Sequence, residues 1–140
     1  MSDRFFLDTN IFAYSFDPAD SKKCRRAEEL ITEAVKSRRG VVSYQVVQEF
    51  FHLALRRFVS PMTVVEAEQY LGTIFRPLLT VHSSLALYAQ GLQVQGRYRL
   101  SWYDSLIVAA AMEARCDMLY TEDLQDGQRF GAVQVKNPFA

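Results

Sequence analysis

Four acidic residues stand where a short apolar stretch gives way to polar chain: Asp8, Glu49, Asp104 and Asp123. Two of them, Asp8 and Asp123, come at the end of short apolar segments that are typical of buried strands. In an open α/β fold, a strand that ends in an acid delivers its carboxylate to the carboxyl edge of a parallel sheet, where active sites lie. The pattern therefore predicts an α/β sheet with acids gathered along one edge.

Carboxylates that converge on one edge repel one another unless a cation neutralises part of their charge. Oxygen ligands of this hard type select Mg²⁺ or Mn²⁺ rather than zinc or copper. A divalent cation held by several acids is typical of enzymes that transfer phosphoryl groups or hydrolyse phosphodiesters. The acids thus indicate a chemistry as well as a fold.

Strand patterns alternate with helix patterns along the whole chain, which favours a three-layer αβα fold with a parallel sheet of about five strands. Two capping boxes are predicted, Thr63 with Glu66 and Ser101 with Asp104, and Pro77 is expected to end a helix. With no linker or repeat, residues 1–140 are expected to form a single domain. The predicted strands are 4–7, 41–43, 78–81, 118–121 and 132–135, and the predicted helices are 22–39, 44–58, 63–75, 84–95 and 102–115.

Each acid also has an ordinary structural explanation. Asp8 could cap the turn that follows it, Asp104 could serve as a helix cap, and Asp123 could be a turn acid. On a helical wheel Glu49 lies far from the apolar stripe, which predicts a solvated face. Glu49 and His52 resemble half of a di-iron motif, but the chain has no second Glu-x-x-His, so the iron interpretation fails.

Composition sets the remaining bounds. The chain has 140 residues, 49% of them apolar, and no apolar run approaches the ~20 residues of a membrane span. Cys24 and Cys116 lack metal-ligand spacing, so a reduced, cytoplasmic setting is expected. Basic and acidic residues number 16 each; without the four acids above, 16 basic residues face 12 acidic ones, a balance that leaves a nucleic-acid partner open.

Taken together, the motifs resemble the PIN domain, and within it the VapC-type toxin ribonucleases of toxin–antitoxin systems. The resemblance covers the whole chain, and it depends on four motifs in order rather than on any one of them. Those motifs are Asp-Thr-Asn at 8–10, Gln-Glu-Phe at 48–50, Tyr-Asp-Ser-Leu-Ile at 103–107 and Thr-Glu-Asp-Leu at 121–124, with similar closing segments at 126–128 and 135–139.

This resemblance implies a Mg²⁺- or Mn²⁺-dependent endoribonuclease that acts on RNA, is usually a homodimer and is silenced by a cognate antitoxin protein. It also implies a role for each matching residue. The catalytic and metal-binding residues would be Asp8, Glu49, Asp104 and Asp123, with Thr9, Asn10 and Thr121 in support.

Two other classes of function stay open at this point. A phosphatase or phosphotransferase with an aspartyl nucleophile would also place Asp8 after the first strand. Its usual Asp-x-Asp pattern is broken, however, because Asn10 occupies the second position. The other alternative is a non-catalytic module that uses the fold to bind RNA or protein.

Overall fold

The computed structural model describes residues 3–140 and contains one sheet of six strands within that range. Their order across the sheet is β3-β2-β1-β4-β6-β5. The strands are β1 Phe5–Leu7, β2 Gly40–Ser43, β3 Leu79–Val81, β4 Met118–Tyr120, β5 Arg129–Phe130 and β6 Val133–Lys136.

Strand β1 lies at the centre, pairing in parallel with β2 on one side and β4 on the other. The chain first builds outward from β1 through β2 to β3 and later returns to add β4 on the opposite side. The sheet therefore has a topological switch point beside β1, and in doubly wound folds ligands bind at the carboxyl ends of the strands at such a point.

The predicted α/β class is confirmed, but the number of strands is larger than the five expected. The additional strand, β5, has two residues and pairs antiparallel with β6. Gly131 turns the chain between them with a φ of 60°, a conformation that glycine adopts without steric cost. A strand this short leaves no alternation of apolar and polar residues to read in the sequence.

Helices pack in two groups. Helix α1 contacts α2 and α3, whereas α6 packs along α7, and α7 lies against β2 and β4. The helices are α1 Thr9–Tyr14, α2 Ser21–Ser37, α3 Tyr44–Ala54, α4 Val64–Tyr70, α5 Arg76–Leu78, α6 Leu85–Tyr98 and α7 Trp102–Glu113, with a π-helical segment Leu71–Phe75 between α4 and α5.

Several helix ends differ from the predicted bounds. Pro77 does not end the helix predicted over 63–75, because it lies in the first turn of α5, where its missing N–H needs no partner. Helix α6 runs past Gly96 to Tyr98 and ends at Arg99, which adopts the left-handed conformation. Helix α3 stops at Ala54 instead of reaching residue 58.

Aromatic side chains form the core beneath α1 and α3. The rings of Phe12, Phe50 and Phe75 are fully buried and contact one another at centroid distances of 5.0–6.3 Å. This contact fixes α1 against α3, and both helices carry residues of the site described below. Within residues 3–140, no helix is both long and apolar enough to cross a lipid bilayer.

Candidate active site

The structure brings all four acids to one cavity of about 700 Å³, here called the acid cavity. Three of them come after the strands at the switch point. Asp8 follows β1, Asp123 follows β4, and Glu49 lies on α3, the helix that directly follows β2. Asp104 reaches the same space from the first turn of α7. Thr9 and Asn10 also line the acid cavity, whereas Thr121 lies just behind it.

Asp8 is the most buried of the four, with 5% of its surface exposed. Its Oδ1 accepts a hydrogen bond from the Thr9 backbone N–H at 2.7 Å, and its Oδ2 accepts one from the Thr121 hydroxyl at 2.8 Å. Burial nevertheless raises the pKa of Asp8 to about 7, and the nearby charges of Asp123 and Glu49 add to that effect. A carboxylate with a raised pKa in a cavity is typical of functional sites.

Asp8 therefore does cap α1, as its ordinary explanation predicts, through the bond from Thr9. Capping uses only one of its two oxygens, and it does not require burial among other acids. The cap and the place in the acid cavity are compatible, because the N-terminus of α1 opens at the carboxyl edge of the sheet.

Glu49 does not lie on the solvated face that the helical wheel predicts. It is half-buried, and its Oε1 accepts a hydrogen bond from the Thr9 hydroxyl at 2.6 Å. Gln45, one turn earlier on α3, lies within 3.5 Å of the other oxygen and also donates to the Tyr103 carbonyl at 3.2 Å. The helical wheel fails because it gives only the angle between a residue and the apolar stripe of the helix. It cannot show that the face carrying Glu49 borders a cavity at the edge of the core.

Gln45 is a site residue that the sequence interpretation missed. It is buried, and it joins the start of α3 to the start of α7. The available signal was a polar residue four positions before Glu49, on the same helical face. A glutamine at that spacing is common on solvated helices, so only its burial distinguishes it.

Asp104 forms half of the predicted capping box. Its backbone N–H donates to the Ser101 hydroxyl at 3.2 Å, but the return bond from the Asp104 carboxylate to the Ser101 backbone is not formed. By contrast, both halves are present at Thr63 and Glu66. Among residues 3–140 the Asp104 carboxylate accepts no hydrogen bond, so it is available within the acid cavity.

Thr121 ties Asp8 to the loop that carries Asp123. Its hydroxyl donates to Asp8 and accepts from the Asp123 backbone N–H at 3.1 Å. Asp123 itself is exposed, but the partial burial of its carboxylate still raises its pKa. The charges of Asp104, Glu122 and Glu49 raise it further, while the Asn10 amide lowers it.

Two side chains have buried polar atoms with no hydrogen-bond partner among residues 3–140. One is the Asn10 amide, whose oxygen and nitrogen both lack a partner. The amide is near enough to Asp123 to lower the pKa of that residue, but the two groups do not meet hydrogen-bond geometry. The other is the hydroxyl of Ser43, at the carboxyl end of β2. Unsatisfied buried groups are costly, and they are common where water or a ligand completes the structure.

The donor set suits a divalent cation by its chemistry, because the acid cavity is lined by four carboxylates. Its geometry is not that of a closed cage. Within residues 3–140, no three Asp, Glu, His or Cys side chains are arranged to hold one metal ion. Mg²⁺ commonly keeps several waters and takes only one or two carboxylates from the protein, so an open set of this kind fits it.

A polar network lies beside the acid cavity and braces the Asp123 loop. The Tyr14 hydroxyl donates to Glu122, and Lys23 Nζ lies 3.1 Å from the second oxygen of the same carboxylate. Phe139 packs edge-on against the Tyr14 ring at a centroid distance of 5.0 Å. The network thus connects α1, α2 and the C-terminal segment to the residue that precedes Asp123.

The chain belongs to the PIN domain family, whose model matches residues 5–129. Solved structures with the same fold span nearly its full length. A toxin–antitoxin complex from Klebsiella pneumoniae superposes with a TM-score of 0.67 at 19% identity, over 95% of this chain and 96% of that one. FitAcB from Neisseria gonorrhoeae gives 0.64 at 17% identity, over 96% and 98%.

A third similar structure is VapC20 from Mycobacterium tuberculosis, which is described as a sarcin–ricin loop cleaving toxin. It superposes with a TM-score of 0.63 at 22% identity, over 85% of this chain and 91% of that one. The resemblance to VapC-type toxins predicted from the motifs is confirmed at the level of fold. A comparison with curated protein sequences gave no match.

Proposed function

We propose that this protein is a metal-dependent endoribonuclease and the toxin of a toxin–antitoxin pair. The observation that carries the proposal is the convergence of Asp8, Glu49, Asp104 and Asp123 on one cavity at the switch point of a PIN-family sheet. An RNA-cleaving protein among the similar folds supports RNA as the substrate class.

Asp8, Glu49, Asp104 and Asp123 would hold Mg²⁺ or Mn²⁺, one or two of them directly and the others through its waters. When bound, such an ion lowers the pKa of water and neutralises charge that develops on the phosphate. Asp8 is the natural central ligand, because it is the most buried acid and is held through both oxygens. With a pKa of about 7, Asp8 holds a proton in part of the metal-free molecules near neutral pH, so cation binding would release that proton.

The remaining residues would orient these groups. Thr121 fixes Asp8 and the Asp123 loop together, which keeps two of the acids in register. Thr9 does the same for Asp8 and Glu49, through its backbone N–H and its hydroxyl. Supporting groups of this kind hold catalytic carboxylates in one orientation and are important to metal sites.

Two partners are part of the proposal: a cognate antitoxin and a second copy of this chain. The antitoxin is supported by the similar structures, two of which are described as FitAB or VapBC2 bound to DNA and one as a toxin–antitoxin complex. The homodimer is supported by apolar side chains exposed on one side of α6, at Leu85, Tyr88 and Leu92. Contiguous exposed apolar surface is typical of protein interfaces.

The aspartyl-nucleophile alternative is less well supported. The residue two positions after Asp8 is Asn10 instead of the acid that such enzymes use. A non-catalytic binding module would not need four acids in one cavity, since their repulsion costs stability.

The proposal is tested by incubating the purified protein with a total RNA pool in Mg²⁺, in Mn²⁺ and in EDTA. Discrete cleavage products are expected with either metal and none with EDTA. Trapping of a phosphate mimic on Asp8, without RNA cleavage, would favour the phosphatase class. Metal-independent binding of RNA without any cleavage would favour the binding module.

A further inference from the structure

A second cavity of about 280 Å³ adjoins the acid cavity and shares Ala13, Tyr14 and Leu53 with it. Here it is called the side cavity. It lies between the loop after α1 and the segment after α3, and its other lining residues are Phe16, Asp17, Pro18, Arg57, Phe58 and Val59. The side cavity is therefore the immediate neighbour of the acid cavity on the protein surface.

The side cavity has an aromatic wall that is held in place. Phe16 stacks on Phe58 at a centroid distance of 5.4 Å and an angle of 30°, and it also packs against Phe50 and Tyr70. Despite these contacts, 41% of the Phe16 surface remains exposed. Aromatic rings that are held in place and remain partly exposed are the surfaces on which nucleobases stack in proteins that bind single strands.

The side cavity also has a free positive charge. Arg57 is exposed, and its guanidinium forms no ion pair within residues 3–140, whereas Lys23, Arg26 and Arg39 all do. The one acid in the lining, Asp17, accepts the Ala19 backbone N–H at 2.9 Å and so is partly satisfied by its own turn. An unpaired guanidinium beside a site for phosphodiesters suits a backbone phosphate.

We propose that the side cavity binds one nucleotide of the RNA strand that flanks the scissile phosphate, with its base on Phe16 and its phosphate at Arg57. The inference rests on the proposed function, since it assigns a subsite to the same substrate. RNA is favoured over a protein segment because the side cavity combines an exposed aromatic ring with a cation and adjoins the acid cavity. RNA-binding proteins commonly recognise splayed single-stranded nucleotides by such a combination.

The test measures binding rather than cleavage. A short single-stranded RNA that contains 2-aminopurine is titrated against the Asp8→Asn protein, which is expected to bind without cutting. In the Asp8→Asn protein, the further change Arg57→Gln should weaken RNA binding about tenfold. The further change Phe16→Leu keeps an apolar side chain in place but should abolish the quenching of 2-aminopurine fluorescence that stacking causes. Phe16→Tyr, which keeps the ring, should restore the quenching and so separate stacking from packing.

Arg56→Gln is the matched control, because Arg56 is the exposed neighbour of Arg57 and does not line the side cavity. Equal weakening by both arginine variants would show a general charge effect and overturn the inference. Binding and quenching that depend on neither Phe16 nor Arg57, or no binding of RNA at all, would also overturn it. Binding that depends on both residues, in a protein whose wild type cuts no RNA, would uphold the subsite while the proposed activity fails.

Discussion

At the scale of single residues, Asp8 is the clearest example of a sequence signal that the structure explains. An acid directly after a buried strand had two interpretations, a cap or a site residue. The structure shows the cap, and it also shows burial among other acids that no cap requires. The two interpretations are compatible because the sheet edge and the N-terminus of α1 meet at one point.

The raised pKa of Asp8 makes the stability of the metal-free protein depend on pH. Between its ordinary value of 3.8 and about 7, folded Asp8 binds a proton that the unfolded chain has already lost. The free energy of unfolding should therefore fall as pH rises through that window, by on the order of a few kcal/mol, and then level off with respect to this group. Urea unfolding in EDTA at pH 5, 6, 7 and 8 measures the slope.

Asp8→Asn should remove most of that slope, because the substituted side chain does not titrate. Asp126→Asn is the control; Asp126 is exposed, accepts a bond from the Asn137 backbone and does not line the acid cavity. An unchanged slope in the Asp8→Asn protein would mean that another group is responsible for the pH dependence.

Asp104 gives a second prediction at this scale. Since its carboxylate contributes no return bond to the cap and raises the pKa of Asp123, Asp104→Asn should stabilise the metal-free protein. The same change should reduce the extra stability that Mn²⁺ gives by binding the folded state. Thermal melts with EDTA and with Mn²⁺ measure both effects.

A cap alone would behave differently. If Asp104 acts only on the helix dipole, Asp104→Asn should cost up to about 1 kcal/mol and leave the Mn²⁺ effect unaltered. That pair of results would remove Asp104 from the proposed site.

Residues differ in how far the sequence could reveal them. Asp8 and Asp123 were predictable because strand ends determine where a carboxylate points. Glu49 was placed inward only by family resemblance, since helical periodicity does not report a cavity at the edge of the core. Gln45 was missed altogether, because its role depends on a contact with the Tyr103 carbonyl across 58 positions of sequence.

At the scale of elements, the long helices could be predicted from the sequence, whereas a short helix could not. Helix α2 was predicted from its period and lies close to its predicted bounds. Helix α1 has six residues and begins with Thr9 and Asn10, which have low helix propensity, so no periodic pattern marked it. It forms because Asp8 caps it and because Ile11 and Phe12 are fully buried. Tertiary packing, and not helix propensity, therefore stabilises α1.

The close approach of α2 and β2 gives a prediction about packing. A Cβ at Gly40 would lie 2.3 Å from Ala34 Cβ and 2.8 Å from its Cα, and neither atom can move without shifting α2. Gly40→Ala should therefore destabilise the protein by roughly 1–3 kcal/mol. Gly72→Ala is the matched control, since a Cβ there meets nothing within 4 Å, and urea unfolding of the two variants compares them. Equal stability of both would show that α2 can move away from β2 at little cost.

At the scale of the whole molecule, strand order concentrates the acids. Because β1 lies between β2 and β4, the residues that follow these three strands share one edge, although Asp8 and Asp123 are far apart in sequence. The alternation of strands and helices predicted the α/β class, but strand order could not be derived from it.

Self-association is a prediction at this scale. We expect a homodimer in solution, because Leu85 and Leu92 expose 88% and 60% of their surfaces on the same helix. Light scattering at high micromolar concentration should give twice the chain mass, and Leu92→Arg should shift it towards the monomer. Val64→Arg, at another exposed apolar position, should not. A strictly monomeric wild type would refute the expectation.

Cleavage of RNA by the Asp8→Asn and Asp126→Asn proteins, assayed side by side in Mg²⁺, decides whether the acid cavity is the site of the reaction. Both substitutions remove one negative charge and keep the shape of the side chain, but only Asp8 lies in the acid cavity. Asp8→Asn should lower cleavage at least a hundredfold, whereas Asp126→Asn should stay within about twofold of wild type. Cleavage at the wild-type rate by the Asp8→Asn protein would show that the acid cavity is not where RNA is cut.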